Sequence, residues 1–84
     1  MAATHHRTMY DLLKEEDNII RQIEITDSQI VENLYTSEEN PDKQARQKAE
    51  DTVDVLRERK GRLLRELKDV RTELKRKILK LYEE

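Results

Sequence analysis

The feature that most constrains the fold of this chain is the spacing of its apolar residues, which recur every three, four or seven positions over most of its length. In the first half, this spacing places one apolar stripe on a helix of period 3.6. Thr8 precedes the stripe and Asp11 follows three residues later, which is typical of a capping box at a helix start. We therefore predict a first helix over about residues 9–35. Its apolar positions are Met9, Leu12, Leu13, Ile19, Ile20, Ile23, Ile30, Val31 and Leu34.

The one convincing break in this pattern is the segment TSEENPDK at residues 36–43. Asn40 is a good N-cap residue, and Pro41 fits the first position of a helix, where a backbone N–H has no partner to lose. These residues predict a turn over 36–40 and a second helix over about residues 41–82. A short polar connection between two amphipathic helices favours an antiparallel arrangement. The predicted fold class is therefore all-α, a two-helix antiparallel coiled-coil hairpin with a longer second helix.

Gly61 leaves a second architecture open, because the segment RERKG has the basic last turn and the glycine that often end a helix. A helix that ended there would give a three-helix bundle. Two observations favour a continuous second helix instead. No N-cap residue follows Gly61, and apolar or lysine positions continue in steps of three and four from Val53 to Leu81. A glycine inside a helix costs about 1 kcal/mol, which a long helix tolerates.

Composition alone leaves two classes, disordered proteins and long charged helices, because 43% of the 84 residues are charged and 35% are hydrophobic. The regular apolar spacing favours the helices. We expect one helical domain over residues 8–84, preceded by a disordered polar tail over residues 1–7. The sequence has no cysteine, no signal-peptide core and no apolar run near the ~18 residues of a membrane span. A soluble, intracellular and cytoplasmic protein is therefore expected.

Folding the hairpin at about residue 38 predicts a register for the two helices. Two polar interruptions of the apolar stripes, Glu16 and Lys60, then lie opposite each other, and we predict that this pair fixes the register. In the same register Ile23 lies opposite Val53. The start of the first helix, at Met9, would then lie beside Leu67. About 15 residues of the second helix beyond Leu67 would have no part of the first helix packed on them.

The uncovered part of the second helix would expose an apolar seam, and such a helix needs a packing partner to be stable in water. Leucines seven residues apart with a valine between them are typical of a zipper. We therefore predict a homodimer that forms a helical bundle, in either parallel or antiparallel geometry. The alternative is a monomer whose C-terminal arm is held by a different protein. The predicted oligomerisation residues are Leu67, Val70, Leu74, Ile78 and Leu81.

Charge is unevenly distributed along the chain. Residues 8–54 hold 13 acidic and 5 basic side chains, a net charge of −8, whereas residues 57–80 hold 11 basic and 4 acidic side chains, a net charge of +7. Such polarity indicates an electrostatic partner. We predict a protein partner with an acidic surface, bound near the end of the second helix. The predicted partner-binding residues are Arg71, Lys75, Arg76 and Lys80.

The same basic segment offers contacts to phosphates, so a nucleic-acid-associated protein is the alternative function. Three features disfavour it. The basic residues occupy nearly every heptad position, Asp69 and Glu73 lie among them, and no aromatic platform for single strands is present. A role at a membrane surface is also disfavoured, because the sequence contains no Trp or Phe for the apolar face.

Catalytic chemistry is not indicated by the sequence. His5 and His6 are adjacent, so on a helix they would point about 100° apart and would not readily share a metal ion. A two-helix hairpin also has little room for a shielded pocket that shifts the pKa values of carboxyl groups. We expect no catalytic residue, cofactor or metal. The predicted function is a non-enzymatic interaction module, such as a small subunit, an adaptor or an inhibitor, that self-assembles through its C-terminal seam.

Overall fold

The computed structural model describes residues 7–83, which form two long helices joined by a short connection. Helix α1 spans Met9–Glu39 and helix α2 spans Lys43–Lys80. The start of α1 packs against the end of α2, so the two helices form an antiparallel hairpin with dimensions of 65 × 28 × 15 Å. The predicted all-α hairpin with a longer second helix is confirmed. Residues 1–6 of the predicted polar tail, and Glu84, lie outside the described residues.

A capping box begins α1, as the sequence predicts. The backbone N–H of Asp11 donates to the Thr8 hydroxyl at 3.0 Å, and the backbone N–H of Thr8 donates to the Asp11 carboxylate at 3.1 Å. The hydrogen bond from the Thr8 backbone, and then that from its side chain, hold the pKa of Asp11 below its ordinary value. Two of the N–H groups that a helix start leaves free are thereby satisfied.

The connection between the helices lies later in the chain than predicted, and helix α1 continues to Glu39 instead of ending near residue 35. Asn40 ends α1, because the helical conformation is sterically disfavoured for a residue that precedes a proline. It is not the N-cap of α2 that the sequence predicts. Its side-chain oxygen accepts a hydrogen bond from Asp42 N at 2.9 Å, which forms a tight turn around Pro41. Asp42 caps α2 by accepting from Gln44 N at 3.0 Å. Pro41 therefore lies outside α2.

Helix α2 passes through Gly61 without a break and ends at Lys80, two residues before the predicted end. The φ angle of Gly61 is not positive, so this residue does not adopt the left-handed conformation that commonly ends a helix. A Cβ atom at this position would meet only Arg65 Nη1, at 3.8 Å. The three-helix alternative is therefore wrong.

The core of the hairpin is a narrow apolar strip between the helices, and it forms two clusters. The larger cluster lies toward the chain termini, and the smaller one lies toward the turn. Thr26 is also buried, and its hydroxyl donates to the carbonyl of Gln22 at 2.7 Å, which satisfies this polar group inside the core. The clusters consist of Leu12, Ile19, Leu67, Val70 and Leu74, and of Ile30, Val53 and Leu56.

The predicted register is wrong by about three helical turns, because the partner of Glu16 lies eleven residues beyond Lys60 on α2. Lys60 pairs with Asp27 rather than with Glu16, and Glu16 pairs instead with Arg71. Val53 correspondingly packs near Ile30 rather than opposite Ile23. The physical cause is the longer α1, because its extra residues before the turn move α2 along the partner helix.

In the observed register, α1 covers most of the apolar seam of α2 that the sequence predicts to be exposed. Leu67, Val70 and Leu74 are only 8%, 3% and 7% exposed, because α1 packs on them within the same chain. A second copy would reach these three side chains only by displacing α1. The expectation of an uncovered arm that starts at Leu67 is therefore wrong. Of the five predicted oligomerisation residues, Ile78 and Leu81 remain exposed.

Candidate interaction surfaces

The hairpin has two broad faces, one on each side of the core strip, and one of them carries apolar side chains. We call it the mixed face. Its residues follow a seven-residue spacing on each helix, next to the core positions. The ion pairs of Asp27 with Lys60 and of Arg71 with Glu16 lie along it, at 2.7 Å and 2.8 Å. Along its centre the mixed face carries nine residues, Leu13, Ile20, Asp27 and Leu34 from α1, and Glu50, Arg57, Leu64, Arg71 and Ile78 from α2. Glu38, Asp54, Lys68 and Lys75 border these residues on the same face.

The opposite face, which we call the polar face, has no apolar side chain at the nine equivalent positions. Arg7 lies at its terminal end, where its guanidinium pairs with Glu15 of α1 and, at 3.4 Å, with Glu73 of α2. A face of this composition is well solvated without a partner. The polar face consists of Glu15, Gln22, Gln29, Thr36, Thr52, Arg59, Glu66, Glu73 and Lys80.

Charge on the mixed face changes sign along the hairpin. Near the turn, a shallow groove is lined by three acidic residues and one basic residue, together with Leu34. Toward the termini, two further grooves are lined by basic residues and by Leu13, Leu64 and Ile78. The acidic residues of the first groove are Glu38, Glu50 and Asp54, and the basic residues of the other two are Lys68, Arg71 and Lys75.

A second candidate surface lies at the end of α2, and we call it the terminal cluster. Leu81 and Tyr82 are 71% and 80% exposed there, among several basic side chains. A groove on its side is lined by Leu79, three basic residues and two glutamates. The terminal cluster consists of Arg76, Lys77, Leu79, Lys80, Leu81 and Tyr82.

The structure divides the four predicted partner-binding residues into two pairs. Arg71 and Lys75 line the mixed face, and the Arg71 side chain is already engaged by Glu16. Arg76 and Lys80 line the groove of the terminal cluster instead. The four residues therefore do not form one basic site, and the two surfaces are separate candidates for binding.

The sequence analysis missed the mixed face as a surface. The apolar spacing places Leu13, Ile20 and Leu34 on the same stripe as the core residues of α1. A signal was present, because Leu13, Ile20 and Leu34 fit a seven-residue spacing adjacent to that of the core. Two parallel apolar stripes on one helix indicate that two of its sides pack against other helices. In a hairpin, the second helix packs on only one of these sides.

Within residues 7–83, no group of three or more His, Cys, Asp or Glu side chains is arranged to hold a metal ion. His5 and His6 lie outside that range. In the same part of the chain, neither helix is long and apolar enough to cross a membrane.

Comparison of the chain with family models, with curated proteins and with solved structures found no match.

Proposed function

We propose that the chain is a non-enzymatic protein–protein interaction module that binds an acidic protein partner through its terminal cluster. The observation that carries this proposal is the mixture of exposed apolar and basic side chains over one short segment, where Leu79, Leu81 and Tyr82 are 55%, 71% and 80% exposed. Such a surface suits an amphipathic segment that presents apolar and acidic side chains together. A rod-shaped hairpin that binds a partner at one end would serve as a small subunit, an adaptor or an inhibitor.

Apolar exposure favours a protein partner over nucleic acid. Phosphate binding needs cations, and it gains nothing from leucine side chains held in water beside them. On the mixed face, the guanidinium of Arg71 is occupied by Glu16 at 2.8 Å. Nucleic-acid binding is therefore kept as an outcome of the test.

Site-specific photo-crosslinking tests the proposed partner. A photoreactive phenylalanine analogue replaces Tyr82 in one variant and Tyr35 in a control, because Tyr35 is also a surface tyrosine, 70% exposed, but lies on α1 near the turn. Irradiation in cells that make the protein should give a protease-sensitive adduct from position 82 and none of the same size from position 35. An adduct that nucleases remove would support the nucleic-acid alternative instead.

Two further variants separate specific binding from mere proximity. Arg76→Glu with Lys80→Glu reverses charge, and Leu81→Ser removes apolar surface while leaving charge unchanged. Both should reduce the adduct from position 82, because the proposed partner uses both kinds of contact. An adduct lost in the charge variant but unchanged in Leu81→Ser would contradict the proposal. Arg76, Lys80 and Leu81 are all exposed, so helix content measured by circular dichroism should stay close to that of the original protein.

A further inference from the structure

We propose that the mixed face is an interface between two copies of this chain, packed with their long axes antiparallel so that the terminal end of each copy lies over the turn end of the other. The product is a four-helix bundle. The terminal cluster adjoins the mixed face at Leu79 but is otherwise made of other residues, so this inference does not rest on the proposed binding of an acidic partner.

The mixed face exposes apolar side chains that a packing partner would remove from water. Leu13, Leu64 and Ile78 are 51%, 47% and 44% exposed, and Leu34 is 36% exposed. These side chains are spread along the whole face, from the turn to the termini, whereas the polar face has none at its equivalent positions. Apolar residues at seven-residue spacing on both helices are what a second layer of helices packs against.

The change of charge along the mixed face identifies a second copy as the occupant. Glu50 and Asp54 lie near the turn, and Lys68 and Lys75 lie toward the termini, on the same helix and the same side. If two copies meet with their ends reversed, the basic half of each α2 faces the acidic half of the other. A two-fold axis makes this favourable contact twice.

The acidic residues at the turn end disfavour the other symmetric arrangement. With the ends of the two copies aligned, a two-fold axis along the hairpin places each α2 over the α1 of the other copy, so Glu50 and Asp54 near the turn would face Glu38. Like charges opposed across an interface are unfavourable and suppress that pairing. The charges of the mixed face therefore favour the antiparallel orientation.

The mixed face is large enough for a stable dimer. The hairpin measures 65 Å by 28 Å across the plane of its two helices. Even half of that outline exceeds the area of about 800 Å² that each partner buries in a standard protein–protein interface. Partial overlap of two copies would therefore suffice.

Cysteine cross-linking tests the geometry directly, because the native sequence contains no cysteine. Glu50→Cys and Lys75→Cys are made separately and together in the full chain, and each protein is oxidised or treated with a short thiol cross-linker. The two positions are 25 residues apart on one helix, or about 37 Å, so they cannot be linked within a chain. In the proposed dimer, position 75 of one copy lies near position 50 of the other.

The double variant should give a covalent dimer on a non-reducing gel, and neither single variant should give one. Efficient linkage in Lys75→Cys alone would mean that equivalent ends lie together, which would overturn the antiparallel arrangement. Absence of linkage in all three proteins would overturn the proposed interface.

Solution mass by light scattering tests whether the mixed face is the surface used. The original chain should be a dimer at about 0.1 mM, and Leu64→Glu should weaken dimerisation at least about tenfold. Val55→Glu is the matched control, since Val55 is 63% exposed on the outer side of α2 and lies outside the mixed face. Equal weakening by both variants, or a monomeric original chain, would overturn the proposal.

Charge variants at exposed positions supply a test that does not add a charge to an apolar site. Lys68→Glu with Lys75→Glu should weaken the dimer, and adding Glu50→Lys with Asp54→Lys to the same chain should restore it. The restored chain has its polarity reversed but remains complementary to itself. Failure of the second pair of substitutions to restore the dimer would count against the antiparallel arrangement.

Discussion

The ammonium group of Lys60 lies 2.7 Å from Asp27 Oδ1, at the middle of the hairpin. Eleven residues further along α2, Arg71 Nε donates to Glu16 Oε2 at 2.8 Å. Eleven residues also separate Asp27 from Glu16, so the two ion pairs report the same antiparallel register. Charged residues that interrupt the apolar stripes are thus paired, each with a partner on the neighbouring helix.

A double-mutant cycle should detect the Lys60–Asp27 pair. Both side chains are more than one third exposed, so solvent screens the pair and the coupling free energy should be about 0.2–1 kcal/mol. The measurement is urea denaturation of Asp27→Ala, Lys60→Ala and the double variant. The control is the cycle between Glu16 and Lys60, which should show no coupling. Coupling only in the control cycle would mean that Lys60 faces Glu16 rather than Asp27.

Val53 and Val55 form a matched pair for testing the core, since they are 3% and 63% exposed on the same helix. Val53→Ala should lower the free energy of unfolding by about 2 kcal/mol, because it removes buried methyl groups and leaves a cavity. Val55→Ala should change it by less than about 0.5 kcal/mol. Thermal unfolding of both proteins at one concentration measures the difference. Similar effects at the two positions would contradict the burial described for α2.

Gly61→Ala should stabilise the protein. The helix gains about 1 kcal/mol when alanine replaces an interior glycine, and the new Cβ would meet only the end of the flexible Arg65 side chain. In a domain of this size such a gain raises Tm by roughly 4–8 °C. Calorimetry checks the outcome. A lower Tm would show that Gly61 has a conformation or a close contact that the continuous helix does not require.

The capping box should make stability depend on pH below the usual range of aspartate titration. Hydrogen bonds from Thr8 lower the pKa of Asp11 in the folded chain relative to 3.8. The carboxylate therefore contributes stability that is fully present above 3.8 and is lost as the pH falls through the lower, folded-state pKa. The stability difference between the original chain and Asp11→Asn should shrink as the pH is lowered from about 5 to about 2.

NMR titration of the Asp11 carboxyl carbon gives an independent measurement. Its midpoint should lie below 3.8 in the original chain. In Thr8→Ala the midpoint should move part of the way back, because the hydroxyl is lost but the backbone N–H of residue 8 can still donate. A midpoint at or above 3.8 in the original chain would contradict the capping geometry.

The sequence predicted the hairpin because its signals are strong and local. Apolar spacing, a capping box at Thr8 and a proline at residue 41 each specify an element or its end. The register depended on a weaker choice between Asn40 and Asp42 as the cap of α2, and these residue types cap helices about equally well. Hydrogen bonds within the turn decide it, and a displacement of a few residues there moved every contact between the helices.

The candidate surfaces were predictable in part. The sequence predicted the polarity of charge along the chain and the exposure of Leu81. It did not predict that Leu74 is buried, or that Lys75 and Arg76 lie on different surfaces. Whether an apolar residue beside the core is buried depends on how far the other helix reaches around its own helix. The spacing of apolar residues in the sequence does not give this distance. The mixed face is apparent only when the side of each helix that meets the other is known.

The short connection at residues 40–42 has a mechanical consequence. Contacts between the helices join residues that are close in the chain near the turn and as far apart as Arg7 and Glu73 at the opposite end. A force that pulls residues 7 and 83 apart therefore loads the terminal contacts first and then each layer in turn, as in opening a zipper. The hairpin should separate at low force in this direction. Pulled between the turn and either end, it would have to shear many contacts at once.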